Sequence, residues 1–160
     1  YPRGTGPGSA INHVDEQLPL GKGRELRSGK GLCILNFGVL LDSAQDVAAN
    51  NDFGLCDMRW AKPLDTDLLL DIVSRYDLLV TLEENAIAGG AGAGVVEFLS
   101  QQAVNRPTLV LGIGDVFLQH GTREQLLAAA GLDKAGIQER ILSWQSKHQQ
   151  RAALKVHRLK

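Results

Sequence analysis

From Gly23 onward the chain alternates short, almost continuous apolar runs with amphipathic stretches. Gly31 to Phe37 (GLCILNF), Gly54 to Arg59 (GLCDMR), Asp77 to Leu82 (DLLVTL) and Thr108 to Gly112 (TLVLG) are the apolar runs. Each predicts a strand; Gly31 to Phe37, almost continuously apolar, has the mark of one buried on both faces, and Asp77 to Leu82 is likewise a buried strand. Arg24 to Arg27 is a further short strand. Between them lie helical patterns. Asp42 is expected to cap a helix running to about Asn50, since its carboxylate can accept from the free amides of the first turn. Asp65 caps the next, with Leu68, Leu69, Ile72 and Val73 on one face at i, i+3/i+4 spacing. Val95, Val96, Leu99 and Ala103 form the apolar face of a third. Thr122 and Gln125 have the spacing of a capping box for a helix from Arg123 to Ala130, and Lys134 to about Gln150 is a terminal helix.

Strands alternating with helices require right-handed crossovers and a mainly parallel sheet covered on both sides, so the predicted fold is a three-layer α/β/α domain. In such sheets the chemistry sits on the loops that leave the carboxyl ends of the strands. That places Phe37-Gly38, Arg59 to Pro63, Glu83 to Gly94 and Gly114 to Thr122 along one edge.

Residues 1–22 are rich in Gly and Pro with little periodicity and read as a linker or arm. Residues 23–144 form the packed domain, and residues 145–160 a basic tail that is helical or disordered. At 160 residues, 44% hydrophobic and 22% charged, the chain is an ordinary globular domain. Its formal net charge of -1 argues against a nucleic-acid partner, which would need a concentrated basic face. No apolar run is long enough to span a bilayer and Tyr1 to Gly8 has no signal-peptide character, so the expectation is a cytoplasmic protein. Cys33 and Cys56 lie in apolar runs without CxxC spacing and read as reduced buried thiols, with no metal site. The chain does not begin with Met and reads as part of something longer.

The most unusual stretch is Val80 to Leu99, VTLEENAIAGGAGAGVVEFL. A dinucleotide fingerprint needs GxGxxG after the first strand and an acidic residue about twenty positions on. Glycines at 89, 90, 92 and 94 do not have that spacing, and no GK[ST] follows for a phosphate loop. The economical alternative is close packing, since glycine's missing Cβ lets a helix start approach a neighbouring surface. Glu83 and Glu84 are adjacent on an extended segment and point to opposite sides, which makes them poor partners for acid/base work. One of them can meet the helix amino end or cross an interface instead.

Five segments in order carry a resemblance: YPRG at 1–4, LPLGKG at 18–23, DMRWAKPLD at 57–65, TLEENAIAGGAGAGVVEFL at 81–99, and HGTREQLL after Gly114-Asp115. Together they resemble the carboxyl-terminal part of the 1-deoxy-D-xylulose 5-phosphate synthase family, thiamine-diphosphate enzymes of the transketolase superfamily. The resemblance covers nearly everything from Tyr1 to Trp144. It implies a five-stranded mixed sheet whose first strand is antiparallel to the rest.

It also implies an activity, the condensation of pyruvate with glyceraldehyde 3-phosphate with loss of carbon dioxide. The product feeds isoprenoid, thiamine and pyridoxal synthesis. Thiamine diphosphate and Mg²⁺ belong, in the family, to preceding domains, and the GDG…Asn pattern that holds them is not in this sequence. The isolated chain is therefore expected to be inactive and to bind no cofactor. Its implied partners are the preceding domains of the same polypeptide and a second subunit in a homodimer, in the bacterial cytosol or a plastid.

One family residue carries across, the Arg of YPRG, here Arg3, which the resemblance assigns to the substrate phosphate. A guanidinium fork suits phosphate oxygens. The loop bearing Glu83, Glu84, Asn85, Gly89, Gly90 and Gly92 is the candidate contact with a neighbouring domain or subunit, and His120 lies at a possible active-site edge. Arg59 and Lys62 are expected to pair with Asp65 or a neighbouring domain, and Trp60 to sit in core or interface. The tail after Trp144, with five Lys/Arg and no acid, departs from the family pattern. Two other readings stay open: the equivalent domain of transketolase or of a 2-oxoacid dehydrogenase β-subunit, and an independent α/β module binding a nucleotide or anion.

Overall fold

The computed structural model describes residues 17–157, with side chains as far as Arg151. Arg3 lies outside the described residues. Strands β1 (Arg24–Arg27), β2 (Leu32–Phe37), β3 (Gly54–Asp57), β4 (Leu78–Ala86) and β5 (Thr108–Ile113) form one five-stranded sheet in the order β1-β3-β2-β4-β5. β1 runs antiparallel to β3, and the other pairings are parallel. This is the predicted mixed α/β sheet with an antiparallel first strand.

Alternation along the central strands builds two cores. Leu32 and Ile34 of β2, with Leu78, Val80 and Leu82 of β4, face helices α1 (Leu41–Asn51) and α5 (Lys134–His157), meeting Val47, Ala48, Leu132, Ile137 and Ile141. Cys33, Leu35 and Phe37 face the other way, toward α2 (Thr66–Arg75) and α3 (Ala91–Gln101), where Leu69, Ile72, Val95 and Leu99 cover them. Every residue of β2 is buried, as a strand covered on both faces requires. Each fully buried Leu or Ile contributes roughly 1.5–3 kcal/mol, so these two layers hold most of the folding free energy. A short helix, α4 (Arg123–Ala129), leads into α5 and begins with the expected capping box of Thr122 and Gln125.

Three local expectations change. α1 begins at Leu41 with Leu40 at the cap position, and Asp42 makes no cap hydrogen bond. Leu40 is buried, and its burial draws the helix start ahead of Asp42, whose charge still suits the first turn. β4 runs four residues past Leu82 to Ala86, because Glu83 still pairs with Phe37 of β2 and Ala86 with Ile113 of β5 after a register shift. On α3, Val96 is exposed, and Ala103 lies beyond the helix end in a left-handed conformation, so neither belongs to the packed face.

α5 continues without a break past Trp144 to His157. Among the described residues, no helix is long and apolar enough to cross a membrane. Cys33 and Cys56 are buried free thiols with their sulfurs 3.9 Å apart. Contact with the Cys56 thiol, and then burial, pushes the Cys33 thiol well above the usual thiol range, which keeps it protonated.

Candidate functional site

The strand order reverses beside β2: the chain leaves it toward β3 and then returns across it to β4. Ligand and contact sites in open α/β sheets form at the carboxyl ends of the strands at such a reversal. A cleft of about 610 Å³ lies there, with Phe37 to Val39 from β2, Arg59, Ala61 and Leu64 after β3, Glu83 to Asn85 from β4, and Gly89 to Ala91 and Gly94 at the start of α3. Three of the four loops expected on this edge therefore meet. The fourth, Gly114 to Thr122, also leaves a carboxyl end, and His120 is exposed on it outside the cleft lining.

Glu83 explains the glycine cluster. Its two carboxylate oxygens accept from the backbone amides of Ala91 and Gly92, each at 2.8 Å, and so fill the amino end of α3. The side chain is almost fully buried. For a strand-borne carboxylate to reach those amides, the helix must start against the sheet. A methyl group at position 90 would stand 2.5 Å from a Glu83 oxygen, and one at position 92 would strike Thr81 Oγ1 and sit 2.7 Å from Val110 Cγ1. Gly90 and Gly92 are thus required by close approach, as the sequence suggested. Gly94 has open space around its Cα and contributes to the cleft wall.

The cluster is not a phosphate cradle in this fold. The donors that an anion would use at a helix amino end are already taken by a carboxylate of the same chain. Glu84, the next residue, points away and forms a forked pair with Arg123, its Oε1 accepting from Nε at 3.3 Å. Arg59 donates from Nε to Asp57 Oδ2 at 3.3 Å, and Arg24 approaches the same oxygen at 3.4 Å. The expected pairing of Arg59 with Asp65 does not form, because Asp65 is engaged elsewhere. Each charged side chain lining the cleft is therefore satisfied internally, which suits a contact surface better than an acid/base site.

Asp65 is held at the same edge. It accepts from the amide of Leu68 at 3.2 Å, capping α2, from the amide of Gly23 at 3.0 Å, and from Lys22 Nζ at 3.2 Å. Lys22 also bonds Asp67 at 2.9 Å, and Gly21 lies directly against Pro63. The LPLGKG and DMRWAKPLD segments are thus two halves of one clamp. It fixes where residues 17–23 join the fold, next to the cleft. Trp60, between them, is half-buried with its indole Nε1 shielded from solvent.

Residues 21–137 match the family described as Transketolase, C-terminal domain. The chain belongs to that family. The fold also resembles part of a transketolase chain. A solved structure titled as a split-gene transketolase, inactive beta4 tetramer, superimposes with a TM-score of 0.74 at 27% identity, covering 84% of this chain and 46% of that one. The 1-deoxy-D-xylulose-5-phosphate synthase of Saccharophagus degradans is 60% identical over 148 residues, which is 92% of this chain and 23% of that protein. The synthase of Proteus mirabilis is 49% identical over 146 residues, 91% of this chain and 23% of that protein. The chain thus spans about a quarter of the length of these relatives, and the resemblance read from its five segments holds.

The synthase relatives imply thiamine diphosphate in the full-length enzyme. In this domain the α3 amides that a diphosphate would use are occupied by Glu83.

What the sequence did not reveal is the apolar character of this edge. Val39, Val116 and Phe117 are exposed on its loops, Phe117 completely. The signal was there in GDVFLQH, an apolar triplet between a strand end and a helix cap with no period to bury it.

Proposed function

We propose that this chain is the carboxyl-terminal domain of a 1-deoxy-D-xylulose 5-phosphate synthase, which condenses pyruvate with glyceraldehyde 3-phosphate and releases carbon dioxide. The 60% identity to a synthase over 92% of the chain carries this reading. The cofactor site and the reacting carbonyls lie in the rest of the polypeptide, and thiamine diphosphate supplies the electron sink there. This domain contributes two things. Its glycine-braced loop, Glu83 to Gly92, presents a rigid, internally neutralised surface to a neighbouring domain or to the second subunit of a homodimer. Its leading arm carries Arg3, whose guanidinium binds the phosphate of the aldehyde substrate, and His120 stands at the rim of the same reaction centre. The isolated domain folds but does not turn over, and the parent enzyme works in the cytoplasm.

The match of Tyr1 to Gly4 to the YPRG motif of the family supports the role of Arg3. Filling of the α3 amino end by Glu83 weighs against the rival reading as a nucleotide- or anion-binding module. Steady-state kinetics on the full-length protein provide the test. Arg3→Ala should raise KM for glyceraldehyde 3-phosphate by about 10- to 100-fold, with KM for pyruvate little changed, since a charge-assisted bond is worth roughly 1.5–3 kcal/mol. Unchanged aldehyde kinetics would remove Arg3 from the site.

A further inference from the structure

The formal net charge of -1 conceals a segregation. From Arg140 to Lys160 the chain holds six of its seventeen Lys and Arg and none of its eighteen Asp and Glu, so the residues before Arg140 carry eighteen acids against eleven bases. α5 presents most of this basic segment as continuous helix, to His157. At 3.6 residues per turn, positions 144, 147, 148, 151 and 155 fall within a sector of about 100°, and positions 147 to 155 span about 12 Å along the axis. Lys147 and Arg151 are exposed, and the helix backbone puts Lys155 one turn further along the same ridge. The folded domain gains little from this arrangement. Like charges four residues apart weaken a helix, and the helix dipole rewards cations in the last turn alone, which covers position 155 but not 147 or 151.

The ridge begins at a cleft. About 600 Å³ in volume, it is lined by Leu109, Ala128 and Trp144 as apolar wall and by Arg140 and Lys147 as cations, so Trp144 and Lys147 belong to both cleft and ridge. The rings of Trp144 and His148 lie 5.8 Å apart, tilted by 32°. Two acids also line the cleft: Asp133, whose Oδ1 accepts from the Gly136 amide at 3.0 Å, and Glu139. With two carboxylates present the cleft does not suit a phosphate, whereas its apolar wall suits a flat, uncharged ring.

We propose that α5 binds single-stranded nucleic acid, with phosphates along the ridge of positions 147, 151 and 155 and one base in the cleft against Trp144. A row of cations beside aromatic rings is the combination that holds a strand without reading its sequence. The overall charge argued against such a partner for want of a concentrated basic face, and α5 supplies that face. Two other polyanions fit less well. An acidic bilayer needs an apolar helix face, and Leu154 and Val156, two positions apart, lie about 160° apart round α5. An acidic protein surface would use the cations and leave the ring pair and the cleft idle. This activity is separate from the synthase reading, and either can fail without the other.

Fluorescence anisotropy of a labelled single-stranded RNA of about twelve nucleotides, titrated with the 160-residue chain, tests this. A Kd of about 1–100 µM is expected at physiological salt, and affinity should fall about 20- to 50-fold between about 50 and 200 mM salt, as three or four neutralised phosphates require. Lys147→Glu together with Arg151→Glu should weaken binding at least about tenfold and leave the thermal midpoint in place, both positions being exposed. RNA should quench tryptophan fluorescence, and the quenching should persist in Trp60→Phe, where Trp144 is the one tryptophan left. Inorganic polyphosphate should bind without quenching. Absence of RNA binding at low salt overturns the proposal, and so does affinity that survives the double reversal. RNA binding with no change in Trp144 emission reduces the site to charge alone and overturns it as well. Capture of the chain by phosphatidylglycerol vesicles under conditions that leave the RNA free would make the occupant a membrane surface, against the proposal.

Discussion

The two edges of the sheet are built from different materials. At the amino edge the loops are tied to one another. The Lys30 amide donates to the Asp52 carbonyl at 2.8 Å, the amides of Asp77 and Leu78 share the Gly31 carbonyl at 3.0 Å, and the Gly29 amide donates to the Tyr76 hydroxyl at 3.0 Å. Ion pairs of Asp52 with Arg27 and Lys30, and of Arg75 with Glu25, overlay them. At the carboxyl edge the loops are braced from beneath, by Glu83 under α3 and Asp65 under α2, and present glycine and apolar side chains outward. The first arrangement finishes a surface. The second prepares one for something else, holding the backbone still while leaving its outer face open.

That contrast predicts the largest effect at Glu83. Glu83→Ala leaves the part-buried amide of Ala91 and the buried amide of Gly92 without their acceptor, and bonds to a charged acceptor are worth roughly 1.5–3 kcal/mol each. A loss of about 3 kcal/mol in chemical denaturation is expected, with Glu83→Gln recovering part of it through one remaining acceptor. A loss below about 1 kcal/mol would mean that the carboxyl edge is not braced in this way.

Glu83 also shows how far the sequence could be read. The strands and the packed face of α2 were legible because alternation and i, i+3/i+4 spacing are local, and the cap at Asp65 and the capping box at Thr122 were legible for the same reason. Close packing at the glycines was also readable, since the dinucleotide spacing failed. Which carboxylate met the helix was left open, because it depends on where β4 ends, and that is decided by pairing with β2 and β5. Of the two partners expected for Arg59, Asp65 fails for a similar reason. Asp65 is the nearer acid beyond the turn, but it is taken by Lys22 and Gly23, forty-odd residues away in sequence. The apolar outer face escaped notice because a pattern of burial says nothing of apolar residues that this domain leaves exposed.

An intermediate effect belongs to Asp65. Burial pushes its carboxyl up, but the amides of Leu68 and Gly23 and the Lys22 ammonium together outweigh burial and hold it below its ordinary value of 3.8. A carboxylate with a depressed folded-state pKa stabilises the fold above its unfolded pKa, and that contribution is lost as pH falls through the folded value. Asp65→Ala should therefore cost about 1–2 kcal/mol at neutral pH, the usual worth of a helix cap. The difference from the unsubstituted chain should shrink as pH falls below 3.8, and acid titration of stability for the two proteins checks it. A gap that stays constant into acid would show that the cap acts without its charge.

The smallest effect is expected at the exposed ion pairs of the amino edge. Arg75 donates to Glu25 through Nη1 at 3.0 Å and Nη2 at 2.7 Å, reaches Asp71 as well, and lies 5.5 Å over the Tyr76 ring. Its side chain is nonetheless 36% exposed, so solvent and salt screen the pairing, and exposed pairs are worth no more than about 0.2–1 kcal/mol. Arg75→Ala should lower stability by about 0.5 kcal/mol, and the deficit should fade in molar salt, where the screening length is about 3 Å. The backbone ties beneath it are untouched by that substitution. If Arg75→Ala instead costs as much as Glu83→Ala, and the cost persists in salt, then charge and not backbone closes the amino edge, and the distinction between a finished edge and a prepared one loses its physical basis.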